Sequence, residues 1–434
     1  MDIDSLAALF REFIDDYFVV LDDESKRPFE CDGLAVYKQM PRLVVLPGST
    51  EEVQDAMRLC NRYGVPVVVR GAGTGLSGGA LPHPEGVLLS LTRLSRILEI
   101  DPQARLARVQ TGVRNLEISE ACDAHGLFYA PDPSSQIACS IGGNVAENAG
   151  GVHCLKYGLT VHNVVQVTVV TVDGEVINVG NEGLDSAGPD LLALIIGSEG
   201  MLGIVTEVTV RLLPKPSHCQ VVLASFADVE SAGDAVGAVI ARGIVPAGFE
   251  MMDSNAIRAA EAFAHAGYDT DAAALLLCEL DGTAGEVQAC IEEVVAVFED
   301  FDAVSIRVSE DEAERALFWK GRKSAFPAIG RISPDYYCMD GTIPRRMLSR
   351  VLRGISELSS EYGLGVANVF HAGDGNMHPL ILFDESKPGE LEKAEAFGAK
   401  ILELCVDVGG CITGEHGVGV EKLKQMLIQF DDPE

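Results

Sequence analysis

Basic residues are scarce in this chain: 33 lysines and arginines stand against 65 acids in 434 residues, a formal net charge of −32. That balance excludes a nucleic-acid binder, which needs a basic face to displace phosphate counterions, and it disfavours passive adsorption to anionic lipid. Long apolar runs are also missing. None approaches the roughly 18–20 residues that span a bilayer, so no transmembrane segment is expected. The eleven cysteines include no C-x-x-C pair, which removes both an iron–sulfur ligand set and the disulfide framework of a small secreted domain. Most of them read as small buried hydrophobes in a reducing compartment. The opening MDIDSLAALFREFIDDYFVV lacks the basic stretch and cleavage site of a secretory signal. A cytoplasmic protein is expected, reaching the inner face of the plasma membrane only through partners. No internal repeat or low-complexity segment interrupts the chain.

What is present fits a soluble globular protein, with 47% hydrophobic and 23% charged residues. The length suggests two or three domains. Ser49-Thr50-Glu51-Glu52 offers a capping box to a helix whose apolar face is Val53, Met57 and Cys60, ending at Gly64. Pro66 to Arg70 then reads as a buried strand feeding the loop Gly71-Ala72-Gly73-Thr74-Gly75-Leu76-Ser77-Gly78-Gly79. A second glycine cluster, Ser140 to Gly151, follows the turn-rich Pro131 to Ser135. Val164 to Val172, Asp173-Gly174 and Glu175 to Val179 signal a hairpin. A third glycine segment, Gly197 to Thr206, precedes Pro214-Lys215-Pro216, a plausible domain boundary. Beyond it, helical segments (228–242, 284–298) alternate with strands (272–280), as in an α+β domain. The divisions expected are a helical segment at 1–37, a glycine-rich domain at 38–216, an α+β domain at 217–400 and a last segment at 401–434.

Glycine lets backbone N–H groups approach an anion, and consecutive amides form a nest for pyrophosphate. One such loop serves tight packing about as often as phosphate. The spacing fails the G-x-G-x-x-G fingerprint, and no acid follows ~20 residues later, so nicotinamide binding is not expected. Taken in order, the three glycine segments resemble the FAD-binding domain of the vanillyl-alcohol-oxidase and p-cresol-methylhydroxylase (PCMH) type. That resemblance implies a two-subdomain FAD fold followed by an α+β, ferredoxin-like cap for substrate. It implies that Arg70, Gly71, Ala72, Gly73, Thr74, Gly75, Ser77 and Gly78 hold the pyrophosphate. Pro131, Asp132, Ser134, Ser140, Gly142, Gly143, Asn144, Ala149 and Gly150 would line the isoalloxazine and ribityl chain, and Glu199, Gly203, Ile204 and Val205 the adenosine end. Some members attach FAD through a histidine in the first loop; Thr74 stands there, so noncovalent FAD is expected.

Three of nine histidines fall in two short motifs, His371-Ala372-Gly373-Asp374-Gly375-Asn376-Met377-His378 and Gly414-Glu415-His416-Gly417. Two imidazoles and a distant carboxylate suit a divalent cation such as Zn²⁺ or Mn²⁺, and the glycines argue for a strand–turn rather than a helix. The same histidines could instead be hydrogen-bonded structural residues. Both motifs resemble the D-lactate and D-2-hydroxyglutarate dehydrogenase group of FAD enzymes, which implies His371, His378 and Glu415 as metal ligands and His416 as general base. Phe318 to Arg322 resembles the segment that ends in a carboxylate-binding arginine. That implies Arg322, with Lys323 and Arg331 as fallbacks; an ordinary place on an exposed helix stays open for it.

Longer strings, including Glu30-Cys31-Asp32-Gly33-Leu34, Pro131 to Gly158 and Arg331 to Gly341, resemble the FAD-linked subunits of bacterial glycolate-oxidising complexes. This implies oxidation of glycolate to glyoxylate, and of D-lactate to pyruvate, with electrons passed to an iron–sulfur subunit and the quinone pool and a second flavin-type subunit present. A D-lactate or D-2-hydroxyglutarate dehydrogenase acting alone, or a non-catalytic subunit, remains as an alternative. The family's chains run on past the position of Glu434, so residues 401–434 are expected to turn back toward the flavin and stop short of the family's end.

Overall fold

The computed structural model describes residues 2–183 and 188–430. The chain divides into two compact units: Met1–Gly151, Gly158–Lys215 and Glu415–Lys422 form the first, and Val152–Tyr157, Pro216–Gly414 and Leu423–Glu434 the second.

Among the described residues the first unit holds two larger sheets, each with its own core, and a two-stranded pair of Leu127–Phe128 with Leu213–Pro214. Strands Val19–Val20, Leu43–Val45, Val87–Ser90 and Val67–Arg70 lie side by side in that order, and the last three run parallel. Their unbroken runs of valine and leucine suit a sheet buried on both faces. Helix Thr50–Tyr63 covers it with Val53, Ala56, Met57 and Cys60. Ser49 caps this helix by accepting from Glu52 N at 3.2 Å, and Gly64 ends it in the left-handed region at φ 63°. The reciprocal half of the expected capping box is displaced by one residue, since the Glu52 carboxylate accepts from Gly48 N at 2.7 Å. The N-terminal segment carries helices Ile3–Phe10 and Asp23–Lys26 and packs into the first unit. Its Leu6, Phe10 and Ile14 share the same core, and it contributes an edge strand.

The second sheet is antiparallel, in the order Ile97–Asp101, Leu106–Gln110, Ile204–Arg211, Val164–Val170, Val176–Gly180. Its last two strands are the hairpin expected at Asp173-Gly174, with Gly174 at φ 72°. Val167, Val169, Val208 and Val210 face Ile118, Ile141 and Val145 in the core beneath.

In the second unit, strands Ser305–Val308, His218–Phe226, Ala274–Gly282 and Gly248–Asp253 adjoin in that order, all antiparallel, with helices Val229–Ala241 and Ala284–Asp300 in the crossovers. Numbered along the chain this is 4-1-3-2, the ferredoxin-like order. Strand Val366–His371 extends the sheet beyond Gly248–Asp253 and also pairs with Pro379–Phe383, which in turn pairs with Asp335–Cys338. Helix Glu390–Asp407 runs through residue 400, so the division expected there falls inside a helix. Residues 431–434 of that last segment lie outside the described residues. No helix among the described residues is long and apolar enough to cross a membrane.

Candidate functional site

In the first unit, the strand Val67–Arg70 delivers the first glycine loop against the second cluster. A Cβ on Gly71 would stand 2.2 Å from Ser140 Oγ, and one on Gly73, at φ 72°, 2.1 Å from the Arg70 guanidinium. A side chain at Gly71 would have to displace the Ser140 hydroxyl, and at Gly73 the left-handed backbone adds strain. Ser140 occupies the N-cap of helix Ile141–Glu147, where a serine ordinarily accepts from the first turn, yet its side chain makes no cap bond. Its Oγ is buried with no hydrogen-bond partner among the described residues, as are Ser77 Oγ and Thr111 Oγ1. An orphaned buried hydroxyl costs about 1–3 kcal/mol. Three of them around a glycine-lined cradle fit a bound group that offers them oxygens.

Neighbouring residues hold the cradle's shape. Asn115 Nδ2 donates to Pro131 O and to Asn144 Oδ1, both at 3.0 Å, tying the Pro131–Ser135 turn to the second cluster. Gly142 N bonds Thr111 O at 2.8 Å, and Thr160 Oγ1 donates to Ala149 O at 2.7 Å. Ser134 and Ala72 are exposed, while Gly75 O accepts from Gly33 N at 2.9 Å.

Two residues assigned to FAD are used differently by their side chains. Arg70 is buried and donates to Cys31 O at 2.6 Å and Pro28 O at 3.4 Å, so its guanidinium fastens the N-terminal segment to the loop. Glu199, at φ 52°, accepts from Val418 N at 2.8 Å and Gly419 N at 2.7 Å. Its carboxylate thereby holds the segment carrying Glu415 and His416. Ser77 O accepts from Val420 N at 3.0 Å and Glu421 N at 3.1 Å, and Glu415 Oε2 accepts from Gly150 N at 2.9 Å. Gly203, Ile204 and Val205 lead into the central strand of the antiparallel sheet.

In the second unit the two motif histidines adjoin. His371 ends strand Val366–His371, and the turn through Gly375, at φ 81°, returns the chain so that His378 lies nearby. The expected strand–turn is what forms. The rings meet edge to face with centroids 5.1 Å apart. Each imidazole has a fully buried carboxylate: His371 Nδ1 is 2.7 Å from Glu250 Oε1, and His378 Nε2 is 3.3 Å from Asp340 Oδ1. Asp340 Oδ2 also accepts from Thr413 Oγ1 at 2.8 Å and Gly414 N at 2.9 Å. Burial alone would raise Glu250, but the charges and donors of His371 and Arg322 hold its carboxyl below the ordinary glutamate value.

Arg322 is only 2% exposed, which disposes of the ordinary surface-helix alternative. Its Nη2 lies 2.5 Å from Glu250 Oε2 as an ion pair, but neither of those atoms nor the buried Nε makes a hydrogen bond of good geometry among the described residues. The fallbacks are solvent-exposed: Lys323 lies over the Trp319 ring, and Arg331 donates to Ala262 O at 2.9 Å. Glu250, Asp340 and Asn115 escaped the sequence reading. For Glu250 the available signal was an acid in the middle of the largely apolar strand Gly248–Asp253.

A glycine cradle on parallel and antiparallel sheets, with a ferredoxin-like unit in the same chain, is a fold that PCMH-type proteins share. Residues 41–180 match the family model for an FAD binding domain, and residues 215–434 that for the C-terminal domain of FAD linked oxidases. The chain is 62% identical to the glycolate oxidase subunit GlcD of Escherichia coli (strain K12), over 100% of this chain and 87% of that one. It is 33% identical to a D-lactate dehydrogenase of Anaerostipes hadrus, over 93% and 87%. The structure of p-cresol methylhydroxylase with substrate bound superposes with a TM-score of 0.80 at 18% identity, covering 97% of this chain and 90% of that one. The chain belongs to the FAD-linked oxidases, and it is an FAD-dependent enzyme.

Proposed function

We propose that this enzyme oxidises a small 2-hydroxy acid, glycolate to glyoxylate or D-lactate to pyruvate, using FAD and a divalent cation. The observation that carries the reading is the buried set in the second unit, two carboxylate-paired imidazoles and an arginine with an unmatched donor. Its support is the resemblance to a glycolate oxidase subunit and a D-lactate dehydrogenase. His371, His378 and Glu415 would hold the cation; the donor set, two imidazoles and a carboxylate, suits Zn²⁺ or Mn²⁺. Glu415 is one peptide bond beyond Gly414, whose N–H bonds the same Asp340 that pairs with His378.

The substrate's α-carbon must lose a hydride equivalent and its hydroxyl a proton. Bound FAD supplies the two-electron acceptor and the cation Lewis acidity. His416 takes the hydroxyl proton. Arg322 Nε, a buried donor lacking an acceptor, orients the substrate carboxylate. Ser77, Ser140 and the glycine backbone hold the cofactor noncovalently. Because the Escherichia coli relative is named a subunit, electrons are expected to leave for an iron–sulfur partner, with a second flavin-type subunit, in a cytoplasmic complex peripheral to the membrane. The eleven thiols accord with a reducing compartment.

The test is anaerobic. Glycolate or D-lactate should bleach the oxidised-flavin absorbance of the purified protein, and His416→Ala should keep the flavin while losing that bleaching. A colourless protein that ignores added FAD, or undiminished reduction of His416→Ala, refutes the assignment. A substrate panel that includes D-2-hydroxyglutarate, with an artificial acceptor, fixes the preferred acid.

A further inference from the structure

We infer that Glu250 is a positioning residue that decides which nitrogen His371 presents and where the Arg322 guanidinium lies; this rests on the metal-site reading above. Glu250 and His371 are direct partners across the antiparallel pair Gly248–Asp253 and Val366–His371. The sheet register itself therefore delivers the carboxylate to the imidazole. Glu250 is 0% exposed, and a carboxylate taken wholly out of water persists only if both oxygens are compensated. Oε1 faces His371 Nδ1 at 2.7 Å and Oε2 faces Arg322 Nη2 at 2.5 Å.

An ionised carboxylate can only accept, so Nδ1 must carry the proton and the lone pair of a neutral His371 is left on Nε2. A carboxylate behind a ligating imidazole also raises its basicity. Arg322 is held by the other oxygen of the same group. One side chain thus fixes both a cation ligand and the substrate's carboxylate partner, and their geometries cannot be altered independently through it. Glu250→Gln separates charge from shape. The amide oxygen should turn to the Arg322 cation, leaving the NH₂ facing His371. Nδ1 must then accept, the proton moves to Nε2, and the ligand lone pair is lost.

The experiment uses the FAD-loaded full chain stripped of divalent cations, titrated calorimetrically with Zn²⁺, in wild type, His371→Ala, Glu250→Gln and the double variant. The expected result is a 10- to 100-fold weaker Zn²⁺ affinity in Glu250→Gln and less than a twofold further effect of that change once His371 is alanine. In parallel, nitrogen-15 histidine spectra of the cation-free protein should show His371 as the Nδ1–H tautomer in wild type and the Nε2–H tautomer in Glu250→Gln, a readout that a merely structural role does not move. Wild-type affinity in Glu250→Gln alongside a weakened His371→Ala, or an unchanged tautomer, overturns the positioning role. Unchanged affinity in His371→Ala overturns the metal-site reading instead. Where the glutamine variant does not fold, the wild-type spectra alone decide: His371 found as the Nε2–H tautomer in the cation-free protein overturns the role.

Discussion

Glu279 offers a quantitative test of how the second unit is held together. It lies in the strand Ala274–Gly282 with its side chain 4% exposed, accepting from His153 Nε2 at 3.0 Å, Arg315 Nη1 at 2.9 Å and the Trp319 indole N–H. Burial by itself would raise its carboxyl, but His153, Arg315 and Trp319 outweigh burial and bring it from 4.5 down to about 2. A group so depressed favours the folded state by about 3 kcal/mol at neutral pH. The sign follows from the direction of the shift. The contribution is fully present above pH 4.5, where the unfolded chain is also ionised, and is lost as pH falls from there toward 2. Glu279→Gln should therefore lower the urea midpoint of this unit by about 1 M or more at pH 7, and the deficit should shrink to about half at pH 3. The chain's single tryptophan is Trp319 itself, so its fluorescence reports the transition at the site in question. Equal midpoints at pH 7, or a gap that stays constant into acid, would refute the reasoning.

Further outcomes follow from the cradle and the histidine set. In Gly151→Ala, at φ 141°, the new methyl would stand 2.4 Å from the Asp132 carbonyl; backbone cannot yield cheaply there, so a sharp loss of FAD retention is expected by absorbance after gel filtration. Glu199→Ala removes the acceptor of two backbone N–H groups, which should cost about 1–3 kcal/mol locally and appear as faster amide exchange across 415–422 with the flavin still bound. Asp340→Asn should weaken Zn²⁺ binding about tenfold or more by loosening His378, read by calorimetry. Chelation should depress turnover and added Zn²⁺ or Mn²⁺ restore it, while full activity without cations would reassign His371 and His378.

Local features were legible in the sequence because their causes are local. The helix at Thr50–Tyr63 needs only its cap, its apolar spacing and Gly64; the hairpin at Asp173-Gly174 needs only its turn. The glycine loops betrayed an anion cradle because no other residue type allows such close approach. The two histidine motifs stood out because imidazoles and an acid at short spacing are donor types a cation takes, and the structure brings the rings of His371 and His378 together. Other assignments depended on contacts made across long separations. Arg70 is a loop residue by sequence, yet its guanidinium is spent on Cys31 and Pro28, some 40 positions earlier. Glu199 sits in a glycine segment but clasps backbone 219 residues later. Arg322 could be surface or site until burial decided it. Glu250 is one acid in an apolar strand, and nothing near it in sequence hints at His371, 121 residues on. The sequence by itself determined which chemistries this protein has available, since glycine, imidazole and carboxylate carry those properties wherever they stand. Only the tertiary structure decided which carboxylate serves which imidazole, because strand register, set by burial over whole sheets, brings such pairs together.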